Sequence, residues 1–221
     1  MIDGYSAEQL RTAEAPYLNA GVPLMERAAS GLAGVLRQLL PDTGARGLLL
    51  VGSGNNGGDA LLAGAELAAG GVDVAMICTS ERAHEPGLQR ALAAGAHIEP
   101  SDAAAALAEN AHAVVDGILG TGTSANAALR GTARELVVAL LPVVRAPRHP
   151  FIVAVDIPSG IDPDTGAVPD PHVLPADVTV TFGAHKAGLL LPPASELAGR
   201  IELVDVGIGD ELDQLEPIIR V

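Results

Sequence analysis

The sequence predicts a doubly wound α/β domain on a mostly parallel sheet, preceded by helices. Three observations predict it. From residue 47 onward, apolar runs of strand length alternate with helical patterns, the order that puts parallel strands in one sheet with helices on its faces. The runs at 112–116 and 151–156 stay nearly continuously apolar until each ends in aspartate, as strands covered on both faces do. A glycine-rich loop, Gly52-Ser53-Gly54-Asn55-Asn56-Gly57-Gly58-Asp59, stands between the apolar run Leu48–Val51 and an Ala/Leu-rich segment from Ala60 to Ala69. That order reads strand, loop, helix.

The elements follow in turn. Ser6-Ala7-Glu8-Gln9 is a capping box, with the Ser6 hydroxyl and the Gln9 side chain each satisfying a backbone N–H of the other. It predicts a short helix ending near Ala15, because Pro16 cannot donate to the helical ladder. Pro23 suits a first helical turn, and Leu24, Ala28, Leu32, Val35, Leu36 and Leu39 recur at helical spacing before Pro41. Strands are expected at 47–52, 73–78, 112–116, 151–156, 177–182 and 201–206. Helices are expected at 58–69, 86–95, 102–109 and 130–141. The last two strands are joined by a Pro/Gly-rich stretch with no helical pattern, which predicts a mixed edge. No repeat and no linker composition interrupts the chain, so residues 1–221 read as one domain.

Composition excludes several function classes. The formal charge is −14, whereas a nucleic-acid partner favours a basic face. Aromatic residues make up 2% of a chain that is 48% hydrophobic, so Ala, Val, Leu and Ile must build the core. The one cysteine, Cys78, lies in an apolar strand run and reads as a buried thiol. No signal peptide and no apolar stretch of membrane-spanning length is visible, which predicts a soluble cytoplasmic protein without a membrane partner. The sole lysine, Lys186, stands in Thr181-Phe182-Gly183-Ala184-His185-Lys186-Ala187-Gly188, just past an expected strand.

In an open α/β sheet, ligands bind outside the carboxyl ends of the strands. Three polar clusters fall there: Asn55–Asp59, Asp116-Gly117-Ile118-Leu119-Gly120-Thr121-Gly122-Thr123, and Asp156-Ile157-Pro158-Ser159-Gly160-Ile161-Asp162. The region around Lys186 is a fourth candidate. The glycines of the first loop allow unusual backbone conformations and close approach to a ligand. The helix behind it offers N–H groups and a positive dipole end. The loop is neither G-x-G-x-x-G nor a P-loop, and its asparagines and aspartate add side-chain oxygens. Taken singly, each cluster also has an ordinary reading. Asp116 would cap a segment, Asp156 would anchor an Asx turn, and Asp162 and Asp164 would be solvated turn residues. Lys186 with His185 would be a surface pair. Histidines 84, 97, 112, 149 and 172 show no metal-ligand spacing. Convergence of Asn, Asp and Ser at three strand ends favours one oxygen-lined site suited to a hard or monovalent cation.

The motifs together resemble the NAD(P)H-hydrate epimerases, the YjeF N-terminal-domain family. The residues carrying the resemblance are Leu24-Met25-Glu26-Arg27-Ala28, Gly54–Asp59, Asp116–Gly122, Asp156–Gly160, Thr181 to Gly188 and Val204-Asp205-Val206-Gly207-Ile208. The resemblance implies a Rossmann-like three-layer fold and interconversion of the R and S epimers of NADH and NADPH hydrated at C6 of the nicotinamide ring. It implies one potassium ion per chain on Asn56, Asp116 and Ser159. It implies substrate contacts from Asn55, Asn56, Gly57, Gly58, Asp59, Gly120, Thr121, Gly122, Thr123, Ser124, Ala125, Asn126 and Asp156. The chain departs from the family at Thr123-Ser124-Ala125-Asn126, where Leu-x-Arg is usual, and at Ala60, where glycine is usual. A related dehydratase is often fused C-terminally, so the chain is either a free-standing epimerase or the N-terminal half of a bifunctional protein. Homodimerisation is left open.

Epimerisation requires a group that gives a proton to the C6 oxygen and takes one back. Asp156 is the expected acid/base group. Lys186 is expected either to steer phosphate and lower the barrier electrostatically or to be solvated at the surface. Two other readings are a non-catalytic nucleotide-binding or scaffold module of the same fold, and an NAD-dependent dehydrogenase. The intact Asn55–Asp59 loop and Asp156 weigh against the first. The missing G-x-G-x-x-G weighs against the second.

Overall fold

The structure, a computed structural model, describes residues 1–122 and 126–221. In chain order its elements are β1 (Asp3–Tyr5), α1 (Ala7–Asn19), α2 (Leu24–Leu39), β2 (Arg46–Val51), α3 (Asn55–Ala69), β3 (Asp73–Cys78), α4 (Glu85–Ala93), β4 (His97–Ile98), α5 (Ala104–Asn110), β5 (Ala113–Gly117), α6 (Gly131–Val144), β6 (Phe151–Val155), β7 (Val178–Phe182), β8 (His185–Lys186), β9 (Arg200–Val204), α7 (Gly209–Leu212) and β10 (Ile219–Arg220). Seven strands form one sheet in the order β4-β3-β2-β5-β6-β7-β9, and every neighbouring pair is parallel. Among the described residues, no helix is long and apolar enough to cross a membrane.

The period-2 geometry of the strands divides the core. Leu49, Val51, Val74, Met76, Val115, Val153, Val155 and Val180 pack with α2 and α3 on one face. Leu48, Leu50, Ala75, Ile77, Val114 and Ile152 pack with α5 and α6 on the other. Both faces are therefore covered, which is why the strands read as unbroken apolar runs. Chain direction across the sheet reverses at β2. From there the chain runs outward to β3 and β4, then returns to β5 on the other side. The connections after β2 and β5 leave toward opposite sides of the sheet, which makes this the switch point where such sheets bind ligands.

The structure departs from the sequence reading in five places. First, α1 runs through Pro16 to Asn19. Pro16 is exposed, so the Thr12 carbonyl it cannot bond is free to meet water, while Tyr17 packs onto the core and holds the continuation. Second, α3 begins at Asn55, not at residue 58, so the Asn-Asn-Gly-Gly-Asp segment forms its first turns. Third, the far edge is not mixed. β7 and β9 pair in parallel over Val178–Phe182 and Arg200–Val204, and the crossover between them uses short 3-10 turns. Fourth, a small second sheet, β10-β1-β8, was not anticipated; strands of two or three residues carry no readable period. Fifth, Asp164 is not a free turn residue. Its Oδ1 accepts the Ala7 N–H at 2.7 Å, while the Ser6 hydroxyl accepts the Gln9 N–H at 3.1 Å.

The start of α1 is thus held from two distant parts of the chain. Asp164→Ala leaves the Ala7 N–H unpaired and is expected to cost about 1 kcal/mol, read as a lowered urea midpoint with an unchanged slope.

Candidate active site

Asp156 follows β6 and is the only non-glycine among the described residues with a left-handed backbone, φ 67°. Aspartate tolerates this conformation better than most residues. The twist carries its side chain across to β7. There Oδ1 accepts the Phe182 N–H and the Thr181 hydroxyl, both at 3.2 Å, and pairs with the Lys186 ammonium. Lys186 is 3% exposed. Its other donors go to Thr181 Oγ1 at 3.0 Å and the Phe182 carbonyl at 2.9 Å. All three ammonium protons are committed, so neither surface solvation nor a free phosphate-steering role fits Lys186. It holds Asp156. His185 is half-buried rather than a surface partner; burial, and next the Lys186 charge, push its imidazole below its ordinary range.

The Asn-Asn-Gly-Gly-Asp segment faces the same place. Gly54 caps α3 without a side-chain bond, so the first-turn amides of Asn55, Asn56 and Gly57 have no helical acceptor and present the positive end of the helix. None of the loop's glycines has a positive φ. Gly57 serves close approach instead: a Cβ there would fall 2.0 Å from the Gly52 carbonyl oxygen. Asn56 is buried and its amide donates to the carbonyls of Leu119, at 3.2 Å, and Val155. Gly120 lies directly over it, where a Cβ would come within 2.0 Å of Asn56 Oδ1. Asp59 is 6% exposed and its Oδ1 has no hydrogen-bond partner among the described residues. Burial, then the nearby Asp156 charge, push its carboxyl well above the usual carboxylate range.

Asp116 and Ser159 meet one strand away. The Ser159 hydroxyl donates to Asp116 Oδ1 at 2.6 Å, and the Ser159 N–H to Oδ2 at 2.9 Å. The Ile118 N–H also reaches Oδ1, at 3.3 Å. Asp116 is 1% exposed, and only neutral donors surround it among the described residues. Burial therefore pushes its carboxyl up, with those hydrogen bonds opposing. A buried carboxylate without a counter-charge, set beside an asparagine, a serine hydroxyl and the carbonyls of Leu119 and Val155, is a donor set that fits a cation of low charge. No cluster of three His, Cys, Asp or Glu suited to a metal occurs among the described residues.

A cavity of about 160 Å³ joins Asp156, Lys186, Asn55, Asn56, Asp59 and Thr121. Gly122 and Asn126 face a separate hollow of about 350 Å³ beside Leu129 and Arg130, and Asn126 Oδ1 accepts the Ala128 N–H of its own turn. Thr123, Ser124 and Ala125 lie outside the described residues. His84 caps α4 through the Gly87 N–H. Sequence reasoning missed Glu14 and had Thr181 only as part of the segment around Lys186. Glu14 lines the cavity from α1, and its signal was helical spacing: it stands four residues after Leu10 and seven after Ala7, on their face.

Comparison with known proteins places the chain in a family. A family model described as YjeF-related protein N-terminus matches residues 21–188. The chain is 55% identical over 223 residues to the NAD(P)H-hydrate epimerase of Clavibacter michiganensis subsp. michiganensis, covering 99% of this chain and 95% of that one. It is 40% identical over 215 residues to the bifunctional NAD(P)H-hydrate repair enzyme of Mycobacterium tuberculosis, covering 92% of this chain and 41% of that one. A crystal structure of a yeast protein shares its fold, with a TM-score of 0.72 at 21% identity over 85% of this chain and 83% of that one. The chain belongs to the YjeF-related N-terminal-domain family.

Proposed function

We propose that this chain interconverts the R and S epimers of NADH and NADPH hydrated at C6 of the nicotinamide ring, and so serves cofactor repair. One observation carries the reading. In a chain 55% identical to an NAD(P)H-hydrate epimerase over nearly its full length, a buried carboxylate–ammonium pair opens into a cavity beside a helix N-terminus. The reaction moves an oxygen from one face of a carbon to the other and transfers no hydride. What it needs from the protein is proton exchange at the C6 oxygen and stabilisation of the cationic ring formed when that oxygen leaves.

Asp156 serves both in this reading. The Lys186, Thr181 and Phe182 donors all converge on Oδ1, so Oδ2 takes none of them, and Asp156 lines the cavity. A fixed carboxylate in a site shielded from water stabilises a developing positive charge without reorganising. The cavity beside Asp156, about 160 Å³, has room for a single ring. The free amides of Asn55, Asn56 and Gly57 suit its anionic part.

Asn56, Asp116 and Ser159 would hold one potassium ion, a reading supported by the burial of Asp116 among neutral donors with no cationic partner among the described residues. When bound, the ion supplies a fixed positive charge that offsets Asp116. The bifunctional relatives support a further step, in which the epimer formed here passes to a dehydratase, either fused or separate.

Asp156→Asn is expected to lower epimerisation by about a hundredfold or more, followed by epimer-resolved chromatography of hydrated NADH; a rate equal to wild type would remove Asp156 from the mechanism. Exchanging potassium for choline at constant ionic strength is expected to lower the melting temperature. Potassium at about a hundred times its dissociation constant stabilises by about 2.7 kcal/mol. Asp116→Asn is expected to erase that shift, and an equal shift in the variant would move the ion elsewhere.

A further inference from the structure

Asp156 and Lys186 are fixed to the sheet by their mutual bond and by Thr181 and Phe182. The cavity has another wall that does not belong to the sheet. α1 lines it with Ala7, Leu10, Arg11, Glu14 and Leu18, one continuous helical face. Glu14 is the sole carboxyl on that face. It is half-buried; burial pushes its carboxyl up, and both Lys186 and Asp156 are close enough to act on it. Asp59 lines the same cavity, with its buried Oδ1 unpartnered among the described residues and Asp156, Lys186 and Glu14 all within electrostatic reach. A buried polar oxygen left without a partner at a cavity wall points to a ligand group that completes it.

Epimerisation at one carbon removes an oxygen from one face and returns it to the opposite face. A carboxylate locked in place serves one face. We propose that Glu14 is the second acid/base group of the reaction, acting on the ring face opposite the one served by Asp156. The proposal rests on the epimerase reading and assigns it a second catalytic residue.

The step balances. Glu14 gives its proton to the C6 oxygen while the ring nitrogen lone pair forms the N1=C6 bond. The C6–O bond breaks and water leaves. Water then adds to C6 from the other face, and Asp156 takes the proton as the new C6–O bond forms. The reverse epimerisation exchanges the two roles. Glu14 regains a proton from solvent and Asp156 returns one, so the net change is an isomerisation without an oxidant or reductant. Half-burial leaves Glu14 in reach of the water that this resetting requires.

The test follows each purified epimer of hydrated NADPH in ¹⁸O-labelled water, with wild type, Glu14→Gln and Glu14→Asp. Wild type is expected to epimerise both forms and to exchange oxygen in both. Glu14→Gln is expected to lose about a hundredfold or more of kcat for epimerisation with little change in KM. The epimer whose hydroxyl faces Asp156 should still exchange its oxygen with retention, and Glu14→Asp should restore part of the epimerisation. Epimerisation by Glu14→Gln at the wild-type rate overturns the proposal. So does loss of exchange from both epimers with raised KM, which marks a positioning role. Absence of epimerisation by wild type overturns the epimerase reading itself, a different result from either.

Discussion

The buried pair between Lys186 and Asp156 is the interaction on which the rest of the site depends. Taking both charges out of water is costly, and removing either partner would strand the other, an effect of about 3–5 kcal/mol. The pair persists because every ammonium donor has an acceptor and Asp156 Oδ1 receives three donors. It also requires the left-handed backbone at Asp156, a conformation that costs of order 1–3 kcal/mol and survives only where the surroundings determine it. Those surroundings are β6, which Asp156 directly follows, and β7, whose Val180 carbonyl accepts the Asp156 N–H at 2.7 Å.

The same lysine links the sheet to the cavity wall that α1 supplies. Lys186 lies in β8, which pairs with β1 at Gly4–His185 and Tyr5–Lys186. β1 leads directly into α1, whose first amide is taken by Asp164. A small sheet whose only member in the cavity wall is Lys186 therefore sets where α1, and Glu14 with it, stands relative to Asp156. The cation-type donor set is tied in similarly. Asn56 bonds the carbonyl at the end of β6 and that of Leu119 beyond β5, and Ser159 fastens Asp116 to the loop after β6. Loops of the two diverging halves of the sheet are thus cross-linked by neutral hydrogen bonds around one buried charge.

Much of this was legible in the residues themselves. Strand–helix alternation and unbroken apolar runs determined a parallel sheet covered on both faces, because a side chain facing a helix on either side must be apolar. Polar clusters after those runs located Asn55–Asp59, Asp116, Asp156 and Ser159, because a strand that ends at a crevice changes abruptly from apolar to polar. The capping box determined where α1 starts.

Tertiary structure alone decided the rest, since the deciding partners lie far apart in the chain. Pro16 stays inside α1 because Tyr17 beyond it reaches the core. Gly52 and Gly57 are needed because other backbone runs against them, and Gly120 because the Asn56 side chain does, with no positive φ involved. Lys186 became a buried clamp because Asp156, thirty residues earlier, turns its carboxylate onto it. Glu14 entered the site because β1 and Asp164 carry α1 over the cavity. Local pattern specifies which face of an element is apolar, and burial on that scale is a property of neighbouring residues. Which charged groups share one cavity is set by long-range packing, and no local period records it.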